Sequence, residues 1–116
     1  LPYKVIKRNL LEEEKLLGRL NRMSENHVDF VQTVTNLSLE IDQQIELVTN
    51  GDHSYDTIHS LLNKVIYVGN DKLMDKTKHL QELAIEQNGT EISEVILAYK
   101  ENWGTLKNKI EEILEE

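Results

Sequence analysis

The most constraining feature of this sequence is an uninterrupted helical pattern that runs from Ile6 to Thr49. The stretch contains no proline and a single glycine, Gly18, so nothing in it forces a helix to stop. Its apolar residues fall into three neighbouring columns of a heptad repeat, a stripe broad enough to pack against two other helices. We therefore predict one long helix, and the Asn-Gly-Asp turn at 50–52 predicts its end. The three columns hold Ile6, Leu10, Leu16, Leu17, Leu20, Met23, Phe30, Val31, Val34, Leu37, Ile41, Ile45 and Val48.

The weakest part of this helix is the polar run 24–27, whose side chains fall on the core columns. Ser24 is a suitable N-cap, so a second helix that starts there is the alternative. Because the apolar register stays in phase on both sides of the run, we favour one continuous helix with room for a bend at 24–27. On the same pattern, His27 is expected in the core or at its edge, hydrogen bonded rather than bound to a metal.

A second helix is predicted to follow this turn, with Ser54 or Asp56 as its cap. Its apolar stripe passes through Gly69 with a spacing of four and four residues, which in a continuous helix is a stutter. We favour a continuous, kinked helix. The alternative is a break after the glycine, with Asn70 or Asp71 as a new cap. The stripe consists of Ile58, Leu61, Leu62, Val65, Ile66, Leu73, Lys76, Leu80, Leu83 and Ala84.

A third helix is predicted to follow the second Asn-Gly dipeptide, at 88–89, with Thr90 as its cap. Two carboxylates in its first turn, Glu91 and Glu94, favour the positive end of the helix dipole. Gly104 lies inside this helix, where we expect it to let a neighbouring backbone come close. The apolar stripe consists of Ile92, Val95, Ile96, Tyr99, Trp103, Leu106, Ile110 and Ile113.

Short junctions between long amphipathic helices are typical of antiparallel neighbours. We therefore predict an all-α fold, an antiparallel up-down-up three-helix bundle that forms one domain over residues 1–116, with helices at about 6–49, 54–87 and 91–114. The first helix is the longest, and its residues 4–16 are predicted to overhang the other two helices. The chain begins with Leu-Pro rather than Met, from which we expect a fragment of a larger protein.

The predicted overhang has an unpaired apolar face with basic residues interleaved. Burial of each aliphatic side chain is favourable by about 1.5–3 kcal/mol, so such a face is stable only when something covers it. We interpret it as an interaction surface for a protein partner, either a second copy of the chain or another protein. The alternative is that the chain folds back over it. The candidate interaction residues are Tyr3, Lys4, Val5, Ile6, Lys7, Arg8, Leu10 and Leu11.

The balance of charge restricts the possible partners. Acidic residues outnumber basic residues 21 to 13, for a net charge of −8. Such a surface repels nucleic-acid phosphates, so no nucleic-acid partner is expected.

The basic start of the chain runs directly into the acidic run 12–14, and no apolar run approaches the ~20 residues that span a bilayer, so a membrane partner is not expected either. The lack of cysteine excludes disulfides and thiolate metal sites and fits an intracellular, cytoplasmic location.

One run of titratable residues, Asp52, His53, Asp56 and His59, has side chains of the kind that bind zinc. However, His53 precedes the predicted helix, and no second cluster completes a coordination shell. We predict helix caps and solvated imidazoles there, and therefore no metal site and no cofactor. The glutamate runs are interpreted as solvated faces, and the sequence contains no phosphate-binding loop. We therefore predict no enzymatic activity and no small-molecule substrate.

Taken as a whole, the pattern favours a non-catalytic protein–protein interaction or scaffold module, a helical bundle or coiled coil within a larger assembly. Binding is predicted through the N-terminal arm, residues 4–16, and through exposed ridges at Leu39 and Leu47. The alternative is an adaptor that docks a partner or peptide in a groove between the second and third helices. Its aromatic anchors would be Tyr55, Tyr67, Tyr99 and Trp103.

Overall fold

The computed structural model describes residues 15–115 of the chain. This part is all-helical, as predicted, and no strand occurs within it. It contains five helices, which we number α1 to α5 in chain order: Gly18–Met23, His27–Thr49, Tyr55–Val68, Asp71–Ile85 and Gly89–Glu115.

Helices α2 to α5 form an antiparallel ring of four rather than the predicted bundle of three. Helix α2 packs on α3, α3 on α4, α4 on α5, and α5 returns to α2. Short junctions join successive helices, which is the arrangement of an up-down-up-down bundle. Three of the four helix pairs are joined by side-chain hydrogen bonds: His59 to Gln81 at 2.8 Å, Thr77 to Tyr99 at 2.7 Å, and Trp103 to Asp42 at 2.7 Å.

The extra helix arises because the predicted second helix folds back on itself at Gly69 and Asn70. Gly69 has φ +79°, a left-handed conformation that ends α3. The side chain of Asn70 then accepts a hydrogen bond from the backbone N–H of Leu73 at 2.9 Å and starts α4. The prediction of a continuous helix over 54–87 is therefore wrong. The structure has the alternative, a break with Asn70 as the new cap.

The predicted first helix is also divided within the described residues. The hydroxyl of Ser24 donates to the carbonyl of Leu20 at 2.7 Å, at the end of α1. The side chain of Asn26 accepts from the backbone N–H of Asp29 at 2.8 Å and caps α2. Ser24 thus lies at the end of one helix, while Asn26 starts the next. The continuous register predicted one helix because two short caps can interrupt a helix without shifting its apolar face.

Residues 15–17 lie against the tip of the α3–α4 hairpin. The backbone N–H of Leu17 donates to the carbonyl of Val68 at 2.8 Å. Leu16 is 1% exposed and Leu17 is fully buried. The prediction that residues 4–16 overhang is therefore wrong for Leu16, and residues 4–14 of that arm lie outside the described part of the chain. The hairpin makes room for this packing, since α3 is only about 21 Å long and α2 about 35 Å.

The end of α2 and the start of α3 are confirmed. Gly51 has φ +108°, and its backbone N–H donates to the carbonyl of Val48 at 3.1 Å. The backbone N–H of Asp52 donates to the carbonyl of Leu47 at 2.9 Å, which completes a Schellman C-cap. Ser54 then caps α3, as one of the two predicted caps.

The start of α5 differs from the prediction by two residues. Asn88, not Thr90, is the cap, because its side chain accepts from the backbone N–H of Glu91 at 3.2 Å. Helix α4 ends at Ile85, and Gln87 in the turn that follows has φ +56° although it is not a glycine. A Cβ added at Gly104 would meet no described atom within 4 Å. The prediction that a neighbouring backbone comes close to Gly104 is therefore wrong for the described residues.

The core faces of α2 and α5 agree with the predicted apolar stripes. On α5, Val95 and Leu106 are half-buried and the other six stripe residues are buried. On α4 four of the five predicted stripe residues are buried, but Lys76 is exposed and Thr77 is fully buried in its place. His27, expected at the core, is exposed at the first turn of α2. In the part of the chain that the structure describes, no helix has the length and hydropathy of a membrane span.

Candidate functional site

The predicted interaction residues of the N-terminal arm cannot be placed, because all eight lie outside residues 15–115. They are Tyr3, Lys4, Val5, Ile6, Lys7, Arg8, Leu10 and Leu11. The candidate site is therefore a surface of the described bundle close to Lys15, the residue that follows the undescribed part of the arm. The carbonyl oxygen of Lys15 lies next to the tip of the α3–α4 hairpin, 3.2 Å from the point where a Cβ added to Gly69 would lie.

A cleft of about 320 Å³ opens between α1, α2 and α3, at this same end of the bundle. We call it the Tyr67 cleft, after the aromatic residue that contributes from α3. Most of its lining surface is apolar, with polar groups from α2 on one side. Its lining residues are Leu20, Thr33, Asn36, Leu37, Glu40 and Tyr67.

Tyr67 is the most favourable contact residue of this cleft. It is 40% exposed, and the guanidinium carbon of Arg19 lies 5.5 Å from the centre of its ring. A cation over an aromatic face is an attractive arrangement. Tyrosine and arginine are enriched among the residues that dominate protein interfaces. The pair therefore offers a preformed contact surface beside the cleft.

The two exposed ridges predicted on α2 are found on its solvent side. Leu39 is 54% exposed and Leu47 is 46% exposed. Helical spacing places Leu47 on the same face as Asn36 and Glu40, which line the Tyr67 cleft. Isolated exposed leucines are ordinary on protein surfaces. Here Leu47 extends one face of α2 that already contributes to a cleft.

Two of the four predicted aromatic anchors are unavailable for a groove. Tyr99 is 1% exposed and Trp103 is 3% exposed. Burial raises the pKa of the Tyr99 hydroxyl, against the smaller lowering effect of its hydrogen bond to Thr77. The indole N–H of Trp103 donates to Oδ1 of Asp42 at 2.7 Å, and the ammonium of Lys107 donates to Oδ2 of the same carboxylate at 2.6 Å. These contacts join helices within the bundle.

The titratable run at the α2–α3 junction forms caps. The Asp52 carboxylate accepts hydrogen bonds from the hydroxyls of Ser54 and Thr57, both at 2.7 Å. These bonds, with that of Thr57 the largest cause, lower the pKa of Asp52 from 3.8. The His59 ring bonds to Gln81 and stacks on Tyr55 with ring centres 5.3 Å apart. Within residues 15–115, no group of three histidine or acidic side chains is arranged to hold a metal ion.

The sequence pattern identified Tyr67 as a possible anchor but not the cleft around it. Leu20 and Leu37 both appeared as core residues of one helix, and each is in fact largely buried. The cleft exists because α1 and α2 are separate helices that meet the end of α3. Only the break after Met23 carried a local signal for this, in the polar run 24–27.

Comparison with known proteins does not assign a family: no family model, no curated protein and no solved structure matches the chain.

Proposed function

We propose that this chain is a non-catalytic protein–protein interaction module, a helical bundle that works as part of a larger assembly. Its partner is a second copy of the chain or another protein. The proposed contact surface combines the N-terminal arm with the Tyr67 cleft. A cytoplasmic location and the absence of a small-molecule substrate belong to the same proposal.

The observation that carries the proposal is the exposed aromatic residue at an apolar cleft. Tyr67 is 40% exposed beside Leu20 and Leu37, in a cleft whose surface is mostly apolar. A partner side chain that fills the cleft would remove this surface from water, at about 25 cal/mol for each Å² of apolar area. The favourable free energy of binding would therefore come from burial rather than from charge.

The point at which the arm is attached to the bundle supports the same contact surface. The arm joins the described chain at Lys15, which lies beside Gly69, only two residues after Tyr67. The candidate residues of the arm, from Tyr3 to Leu11, are separated from Lys15 by three residues in sequence. Because a fully extended chain spans at most ~3.6 Å per residue, the arm begins within reach of the cleft. One partner can therefore contact both.

The alternative function, an adaptor with a groove between the second and third predicted helices, needs different anchors. With Tyr99 and Trp103 buried, only Tyr55 and Tyr67 remain exposed, at 42% and 40%. Tyr55 lines a separate cleft of about 370 Å³ together with Ala84 and Ile92, so a peptide-binding groove would use either that cleft or the Tyr67 cleft. We favour the interaction module because the Tyr67 cleft and the arm then belong to one surface.

Sedimentation velocity of the full chain over a range of concentrations tests the proposal. We expect reversible self-association that is weakened by Tyr67→Ser and by the arm variant Ile6→Asp/Leu10→Asp. Leu97→Ser is the matched control, because Leu97 is 61% exposed on α5 and does not line the cleft. Association that is equally strong in all four proteins would contradict this surface.

A chain that remains monomeric would exclude a second copy as the partner. The same variants then test another protein as the partner, by quantitative affinity capture with wild-type chain as bait. We expect a captured protein to be lost with Tyr67→Ser and with the arm variant, and to be retained with Leu97→Ser. Identical capture by all of the baits would contradict the proposed surface for that partner too.

A further inference from the structure

A second cleft, of about 280 Å³, lies between the first half of α4 and the second half of α5. We call it the basic cleft. It has no acidic residue in its lining, in a chain where acidic residues outnumber basic residues 21 to 13. Its lining residues are Asn70, Lys72, Leu73, Lys76, Asn102, Thr105, Leu106 and Lys109.

Helical spacing gathers the positive charges of this cleft from two directions. Lys72 and Lys76 are four residues apart, so they share one face of α4. Lys109 lies on α5, seven residues after Asn102 and therefore on the same face of that helix. Like charges four residues apart destabilise a helix slightly. The arrangement is therefore not explained by the stability of the bundle.

Three other lysines near the cleft are paired with carboxylates, whereas the three cleft lysines are not paired within residues 15–115. Lys100 and Lys107 of α5 form ion pairs with Glu46 and Asp42 of α2, at 3.5 and 2.6 Å. Likewise, Lys15 pairs with Asp71 at 3.5 Å, just outside the cleft. Among the described residues, the side chains of the three cleft lysines make neither an ion pair nor a hydrogen bond. Their ammonium groups are therefore free to bind an anion.

We propose that the basic cleft binds a small, multiply charged anion that carries phosphate groups. A lysine ammonium binds phosphate as a compact point charge with three hydrogen-bond donors, and three of them surround this cleft. The side-chain oxygen of Asn70 is occupied by the N–H of Leu73, which leaves its amide nitrogen to donate. Leu73 and Leu106 contribute the apolar part of the lining.

The size of the cleft restricts the ligand. Its volume of about 280 Å³ is just below the ~300–1,000 Å³ of typical small-molecule sites. A compound of the size of pyrophosphate or a small phosphate ester is therefore expected, rather than a nucleic acid. The net charge of −8 repels anions elsewhere on the surface, so binding should be confined to this cleft.

Inorganic pyrophosphate is the probe that tests this site. Titrated into the full chain at low ionic strength, it should produce saturable shifts of backbone amide NMR signals at residues 70–76 and 102–109. The triple variant Lys72→Gln/Lys76→Gln/Lys109→Gln should bind on the order of tenfold or more weakly, because three attractive charges are removed. Added salt should weaken binding to the wild-type chain.

Lys78→Gln is the matched control, because Lys78 is an exposed lysine of α4 that does not line the cleft. It should bind pyrophosphate nearly as well as the wild-type chain. The three cleft lysines are also exposed, so the triple variant should keep the same circular dichroism spectrum and melting curve. Absent or non-saturable shifts, shifts outside the cleft, or an equal loss in the control would overturn the proposal. These outcomes are independent of the Tyr67 cleft, whose test measures protein association.

Discussion

Gly51 and Gly69 both end a helix and reverse the direction of the chain, but different neighbours fix the two turns. Around Gly51 the contacts are local: the Asp52 carboxylate accepts hydrogen bonds from Ser54 and Thr57, a few residues further on. A Cβ added at Gly51 would meet nothing within 4 Å. A Cβ added at Gly69 would lie 3.2 Å from the carbonyl oxygen of Lys15, more than fifty residues earlier in the sequence.

This difference shows why one turn could be predicted and the other was left as an alternative. A turn held by its own neighbours has a local signature, the Asn-Gly-Asp sequence that was correctly assigned. A turn held by a distant segment depends on packing that no local pattern contains. The α3–α4 hairpin should accordingly be sensitive to changes in residues 15–17, while the α2–α3 turn should not.

The largest effect is expected from Leu16→Ala, which removes a 1% exposed side chain from the contact with the hairpin. Loss of a buried leucine side chain costs about 2–5 kcal/mol, from lost burial and the cavity that remains. Urea unfolding followed by circular dichroism measures the free energy change. Leu39→Ala is the control, since Leu39 is 54% exposed, and its change should stay within about 0.5 kcal/mol. Equal small effects would mean that residues 15–17 do not support the fold.

The next effect is expected from alanine at the two glycines. Both have positive φ, which costs an alanine about 1–2 kcal/mol. Gly69→Ala should lose about 1 kcal/mol more than Gly51→Ala, because its new Cβ presses against the carbonyl of Lys15. The free energy of unfolding of the two variants gives this difference directly.

A double-mutant cycle separates the distant contact from the backbone conformation. In the Leu16→Ala background, the segment that holds Lys15 is loosened, so the extra cost at Gly69 should shrink while the cost at Gly51 stays the same. An unchanged difference would show that the contact with Lys15 does not fix the hairpin turn.

A third, smaller effect concerns the register of α4 beyond the Gly69 turn. Thr77→Val removes the partner of the buried Tyr99 hydroxyl, which is bonded at 2.7 Å. A buried polar group without a partner costs about 1–3 kcal/mol in unfolding free energy. Adding Tyr99→Phe should recover part of this loss, because the unpaired hydroxyl is then absent. Lys76→Ala is the control and should be nearly neutral, since Lys76 is exposed. A larger loss of unfolding free energy for Lys76→Ala than for Thr77→Val would support the predicted register, with residue 76 in the core.

That register shows how far the fold could be predicted from sequence. On α2 and α5 the apolar period continues without interruption, and the core faces of both helices were predicted correctly. On α4 the period was counted through Gly69 as if the helix were continuous, which placed Lys76 in the core instead of Thr77. A left-handed residue followed by a new cap restarts the helix, and here the phase carried across it failed at this one position, while Leu73 and Leu80 are buried as predicted. The number of helices in the ring was wrong for the same reason.

The candidate site could be predicted only in fragments. Tyr67 stood out as an aromatic residue, and Leu39 and Leu47 stood out as apolar residues off the core columns. Their neighbours could not be predicted, because Leu20 and Tyr67 are brought together by the packing of α1 and α3. The basic cleft also depends on tertiary packing, since Lys109 joins Lys72 and Lys76 only across two helices.

The smallest effect is a pH dependence confined to the Gly51 turn. Hydrogen bonds from Thr57 and Ser54 lower the pKa of Asp52 below 3.8 in the folded state. The ionised carboxylate therefore stabilises the fold above the unfolded-state pKa, and this contribution is lost as pH falls through the lower, folded-state pKa.

Asp52→Asn should cost at most about 1 kcal/mol at pH 7, because the group is close to solvent, and the difference from wild type should shrink in acid. Unfolding curves at pH 7 and below pH ~3 measure it. Among the described residues the Gly69 turn is capped by the Asn70 amide and not by a carboxylate, so the extra cost of Gly69→Ala over Gly51→Ala should persist at both pH values. A cost of Asp52→Asn that is the same in acid would mean that the charge of Asp52 does not hold the turn.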